Sequence, residues 1–69
     1  MTLKQFMKKI GGMTNKDYYI VELQIGLELV QKASLRAMKA TTEYSEYTYN
    51  NNKVNFFNIV GNRIIIQLG

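Results

Sequence analysis

Tyr18-Tyr19-Ile20-Val21-Glu22-Leu23-Gln24-Ile25-Gly26-Leu27-Glu28-Leu29-Val30 decides the fold, because this stretch obeys two grammars at once. Val21, Leu23, Ile25, Leu27 and Leu29 alternate with Glu22, Gln24, Gly26 and Glu28, as a half-buried strand would. The flanks argue for a helix. Met13-Thr14-Asn15-Lys16-Asp17-Tyr18 reads as a helix start, in which Thr14 caps an early backbone N–H, Asp17 reaches back, and Met13 packs on Tyr18. From Glu22 to Ala40 most residues are strong helix formers, and Lys32, Arg36 and Lys39 fall at i, i+4 and i+7, one polar stripe on a helix. On this weighing the segment is expected to form one long helix over about residues 15–41, in preference to a strand followed by a shorter helix. Its first half would be apolar nearly all round, which normally means burial on several sides.

Upstream, Met1-Thr2-Leu3-Lys4-Gln5-Phe6 carries the same start signal, and Leu3, Phe6, Met7 and Ile10 recur at i, i+3, i+4 and i+7. That spacing predicts a short amphipathic helix, ended by Gly11-Gly12. Downstream, the chain becomes rich in Tyr, Asn, Phe, Ile and Val, and three strands are expected at about residues 43–49, 53–60 and 63–68. Asn50-Asn51-Asn52 and Gly61-Asn62 supply the turns. Val54 to Ile59 and Ile64-Ile65-Ile66 are apolar on both faces, which suits a central strand or an interface. Only three strands leave open edges, which invite pairing with another chain. The expected fold is α+β: two N-terminal helices, short then long, followed by a three-stranded antiparallel meander, in one domain over residues 1–69.

The 69 residues include no Cys and no His. A chain of this size buries only about 60% of the surface its unfolded form exposes, so its core is thin. Disulfides and thiolate or imidazole metal sites are absent by composition, which leaves oligomerisation, a dimer first, or docking on a partner as support. Asp17, Glu22, Glu28, Glu43 and Glu46 lack the spacing of a calcium loop. A nucleophile–base hydrolase would need the missing His. Paired carboxylates such as Glu43 and Glu46 would need a pocket that shifts their pKa, which so short a chain seldom encloses. No enzyme activity and no cofactor are expected.

Lys4, Lys8 and Lys9 interrupt the first apolar group, unlike a signal peptide, and Glu22, Gln24 and Glu28 break the longest one, well short of the roughly 20 residues that span a bilayer. With Phe6 and Met7 the same lysines could touch a membrane surface, but a helix of about ten residues is short for that. A cytoplasmic protein without membrane contact is expected.

Three surfaces are candidates for function. Tyr44, Tyr47 and Tyr49, beside Asn50, Asn51 and Asn52, would form a protein-recognition patch, since Tyr gives large contact area at small entropic cost; the competing reading is cross-strand packing. Leu23, Leu27 and Val30 would drive self-association from the apolar half of the long helix. The net charge of +4 makes nucleic acid an alternative partner, gripped by Lys32, Arg36 and Lys39 with help from Lys4, Lys8 and Lys9. Against it, cations in the last turns of a helix are stabilised by its dipole and need no ligand. The leading expectation is therefore a small regulator, adaptor or inhibitor that acts by protein contact and self-associates.

Overall fold

A computed structural model of the chain describes residues 1–12 and 14–69, the side chain of Thr14 excepted. The expected cap by Thr14 and the packing of Met13 on Tyr18 lie outside the described residues. The first helix, α1 (Leu3–Ile10), forms as its spacing predicts. Thr2 accepts a hydrogen bond from the Gln5 backbone N–H, and the Gln5 side chain accepts one from the Thr2 N–H, closing a reciprocal cap.

The long helix expected over residues 15–41 does not form. In its place stand one 3-10 turn (Thr14–Lys16), a strand β1 (Ile20–Ile25), a strand β2 (Glu28–Ser34) and a short helix α2 (Leu35–Glu43). Gly26, with φ of 61°, and Leu27 make the two-residue turn between the strands. Glycine leading such a turn is what a type II′ hairpin requires, whereas within a helix the same glycine would cost about 1 kcal/mol. Period-two alternation prevails because β1 pairs on both sides, antiparallel with β2 and parallel with the last strand. Strand preference is mostly packing against such neighbours, so tertiary context overrides the helix propensity of Glu22 to Ala33, while Leu35 to Ala40 keep it in α2. Ser34 closes β2 and caps α2, its hydroxyl accepting from the Ala37 N–H at 3.1 Å.

The strand expected at residues 43–49 is also absent, and with it the three-stranded meander. Glu43 ends α2, and the chain then winds through turns in which the N–H groups of Tyr47, Asn50 and Asn52 donate to the carbonyls of Tyr44, Tyr47 and Tyr49. The side chains of Tyr47 and Tyr49 pack on the core, so this aromatic segment is held by burial rather than by a ladder. The last two strands do form: β3 (Val54–Val60) and β4 (Arg63–Leu68) make a hairpin about Gly61-Asn62, with Gly61 at φ of 60°.

The result is a four-stranded mixed sheet of order β2-β1-β4-β3. After β2, α2 and the turns that follow carry the chain across to β3 at the opposite edge. Both helices lie on one face, where Leu3, Phe6 and Met7 of α1 and Leu35 and Met38 of α2 meet Val21, Leu23, Ile64, Ile66 and Leu68. The helices are tied to the turns as well. The N–H groups of Leu3 and Lys4, two of the unpaired donors at a helix start, reach the carbonyls of Asn52 at 2.9 Å and Asn50 at 3.2 Å.

Candidate interaction surface

Because α1 and α2 share one face, no layer of the described residues covers the other face of the sheet. Register defines its rows. Lys32, Glu22, Ile65 and Asn58 lie side by side across β2, β1, β4 and β3; Ser34, Ile20, Arg63 and Val60 form the next row, and Leu29, Gln24, Gln67 and Phe56 the one beyond. The middle of this bare face holds a fork-like ion pair. Arg63 Nε donates to Glu22 Oε2 at 2.7 Å, and its Nη2 donates to Oε1 at 3.0 Å. The guanidinium and its hydrogen bonds hold the Glu22 carboxyl below its ordinary pKa, against the opposing effect of burial, with Lys32 adding a smaller pull. The only carboxylate in these rows is therefore bound to an arginine rather than free to act as an acid or base.

The sign of the pH effect follows. A carboxyl whose pKa is lowered on folding stabilises the fold above its unfolded value, and that stabilisation is lost as pH falls through the lower folded value. Arg63 is half exposed, so screening by water limits what the pair contributes. Glu22→Gln should thus lower the melting temperature at neutral pH, and the gap to the unaltered chain should close as pH drops below about 4. Parallel melting curves across pH would show that the pair contributes nothing.

Beside this face runs β3, an edge strand unlike the other edge. Phe56 is 63% exposed, Phe57 48%, Ile59 44% and Val60 49%, and none of its residues is charged. Phe56, Asn58 and Val60 point to the bare face, and Phe57 and Ile59 to the helix side. A bulge between Val54 and Phe56 turns Val54 onto the core, so Val54 and Phe56 do not share a face as unbroken alternation would have it. Phe57 meets Phe6 of α1 with ring centroids 4.8 Å apart. Next to this contact an apolar cleft of about 530 Å³ opens, lined by Met1, Phe6, Ile10, Val54 and Phe57, with Lys9 at its side. By contrast the β2 edge carries Glu28 and Lys32, charges of the kind that discourage strand pairing.

The residues singled out from the sequence are dispersed. Tyr47 and Tyr49 pack edge to face, 5.7 Å apart, against the core. The Tyr47 hydroxyl, its pKa raised by burial, donates to Gln31 Oε1 at 3.4 Å. Tyr44 and Asn51 are exposed, Asn52 donates from its side chain to the Gly69 carbonyl, and Asn50 is buried. Of these six residues only Tyr44 and Asn51 are exposed. Of the three residues expected to drive self-association, Leu23 is wholly inside the core, Val30 is half-buried against it, and Leu27 stands free at the tip of the β1–β2 turn.

The expected basic stripe is broken in the same way. Lys32 lies on the bare face, whereas Arg36 and Lys39 sit on α2 behind the sheet, and Lys39 binds Asp17 at 2.8 Å. Lys8 and Lys9 are exposed in the last turn of α1, where the helix dipole favours cations, and Lys4 is half-buried. The exposed apolar set Phe56, Phe57, Ile59 and Val60 was not singled out from the sequence, although its apolar character on both faces of one strand was the available signal. Among the described residues no group of acids is placed to hold a metal ion, and no helix is long and apolar enough to cross a membrane. No family model, curated protein or solved structure matches the chain.

Proposed function

We propose that the chain is a non-enzymatic protein-interaction module, a small regulator, adaptor or inhibitor that acts through the bare sheet face and the β3 edge. The observation that carries this reading is an edge strand whose Phe56, Phe57, Ile59 and Val60 stand between 44% and 63% exposed on both faces. A monomeric soluble protein rarely leaves such a contiguous patch in water unless something binds there. Edge strands that add a partner's strand gain main-chain hydrogen bonds for affinity and side-chain contacts for specificity. The charge pattern supports protein over nucleic acid, since Lys32 is separated by the sheet from Arg36 and Lys39 and faces Glu22.

The test is affinity capture from the source cell with three forms of the chain. The unaltered chain and a Lys8→Ala/Lys9→Ala variant should retain the same protein partner, and a Phe56→Ser/Val60→Ser variant should lose it. Binding to bulk duplex DNA that falls steeply with salt, the signature of counterion release, together with loss of binding in the lysine variant, would replace this reading with a nucleic-acid one.

A further inference from the structure

We infer that a second copy of the chain occupies the β3 edge, pairing antiparallel with β3 so that the two Asn58 residues face each other across a two-fold axis. The inference rests on the protein-contact reading and names the occupant of one part of that surface.

The backbone sets which groups are free. In a two-residue hairpin the residues flanking the turn, Val60 and Arg63, exchange both hydrogen bonds, and bonded and non-bonded pairs then alternate along the ladder. Asn58 therefore turns its N–H and C=O toward Ile65 of β4, while Phe57 and Ile59 turn theirs outward. At the start of the strand the outer side is already taken: Val54 N–H donates to the Met1 carbonyl at 2.8 Å, and Thr2 bridges Lys53. The free edge thus runs from Asn55 to Val60.

An antiparallel partner must bring outward groups to outward groups. A two-fold axis at Phe57 would set Phe56 opposite Asn58 and Val60 opposite the blocked Val54. An axis at Ile59 would set Phe57 opposite Gly61 and Val60 opposite Asn58. An axis at Asn58 sets Phe57 opposite Ile59 and Phe56 opposite Val60, with Asn58 opposite itself. Only this last register gives every exposed apolar side chain of the free edge an apolar neighbour, and the paired amides share the axis. It also places Ile59 of the second copy beside Phe57, at the mouth of the cleft next to α1.

Charge agrees with self-pairing. The chain carries +4, yet β3 has no ionised side chain to repel its own copy, and none of the usual edge protections of lysine or proline. Area sets the strength. Taking about 200 Å² for a whole Phe and somewhat less for Ile and Val, the four side chains leave roughly 350 Å² in water per copy, hence roughly 700 Å² per pair. With the strand backbone added, the contact lies near the lower limit of about 1,000 Å² for a specific interface. The dimer should accordingly be reversible, with dissociation in the micromolar range rather than obligate.

The experiment combines sedimentation equilibrium on the full chain with one introduced thiol. Directly opposed residues of a non-bonded antiparallel pair have Cα atoms about 4.5 Å apart, within disulfide reach of about 4.4–6.8 Å. The chain has no native Cys, so Asn58→Cys should oxidise to a covalent dimer, whereas Asn55→Cys should not. Ile59→Lys and Val60→Lys, both at exposed positions, should weaken the dimer at least tenfold while keeping the far-ultraviolet circular dichroism of the unaltered chain. A monomer at millimolar concentration overturns the inference. So does a dimer that survives both lysine variants, or one that Asn58→Cys does not cross-link. Loss of a captured protein partner in Phe56→Ser/Val60→Ser, found with a strictly monomeric chain, would remove the second copy and leave the protein-contact reading intact.

Discussion

Leu23→Ala should unfold most of the chain at ambient temperature, and Leu27→Ala should leave its melting curve unchanged. Both leucines belong to one alternating run, four residues apart, and a helix would stack them on one face. In the fold, Leu23 lies at the middle of β1 with none of its surface exposed, packed with Val21, Ile64 and Ile66 beneath the two helices. Leu27 is at the β1–β2 turn, as exposed as a side chain can be. Removing a buried leucine side chain costs about 2–5 kcal/mol, the lost transfer energy plus the cavity left behind. A core of this size supplies only about 3–5 kcal/mol in total, so the variant should have little fold left. Thermal denaturation followed by circular dichroism separates the cases. A Leu23→Ala chain that melts with the unaltered one would mean that β1 is not a central strand.

The same pair shows where the sequence was legible. The α1 helix could be read because its cap, its apolar spacing and its glycine stop all agree. The β3–β4 hairpin could be read because Gly61-Asn62 sits between two runs rich in β-branched and aromatic residues. In residues 20–43 local signals conflict: alternation points to a strand, while composition and charge spacing point to a helix. The deciding term was non-local, since β1 gains β4 as a parallel neighbour from more than forty residues away, and nothing within a short window announces that partner. Ser34, a helix cap, lies in the middle of the expected long helix.

The candidate surface was half legible for the same reason. That β3 is apolar on both faces is visible in Phe56-Phe57 and Ile59-Val60, but whether this means a buried centre or an open edge depends on strand order. Order β2-β1-β4-β3 puts β4 in the middle and β3 outside, and the helices reach only as far as the Phe6–Phe57 contact. Leu23 and Val30 went inward on β1 and β2 when the long helix gave way to a hairpin. The basic stripe disappeared with that helix too, because Lys32 and Arg36 are neighbours only at helical spacing.

Asn50→Asp should destabilise the chain more than Asn50→Ala at neutral pH, although it is the smaller change in shape. Asn50 is 1% exposed, and its side chain works as a donor: Nδ2 donates to the carbonyls of Thr42, at 3.2 Å, and Tyr44, while Oδ1 has no partner among the described residues. Thr42 lies in the last turn of α2, where carbonyls have no partner within the helix, and the Asn50 main-chain carbonyl accepts the Lys4 N–H at the start of α1. One residue thus closes the end of one helix and the beginning of the other. Alanine removes both donors: the Thr42 carbonyl loses its donor, at about 1–3 kcal/mol if it stays buried, while the Tyr44 carbonyl keeps the Tyr47 N–H. Aspartate does the same and adds an ionised oxygen facing those carbonyls, a buried charge with nothing to pair with it. Folding must then raise the pKa of the new carboxyl, so stability returns as pH falls, when the neutral acid can donate its own O–H to a carbonyl. Asn50→Asp should therefore be largely unfolded at pH 7 and approach or pass Asn50→Ala near pH 4; comparison of the two variants at each pH cancels the acid sensitivity of the Glu22–Arg63 pair they share. An Asn50→Asp chain as stable as the unaltered one at neutral pH would show that the amide N–H groups do not hold the helix ends.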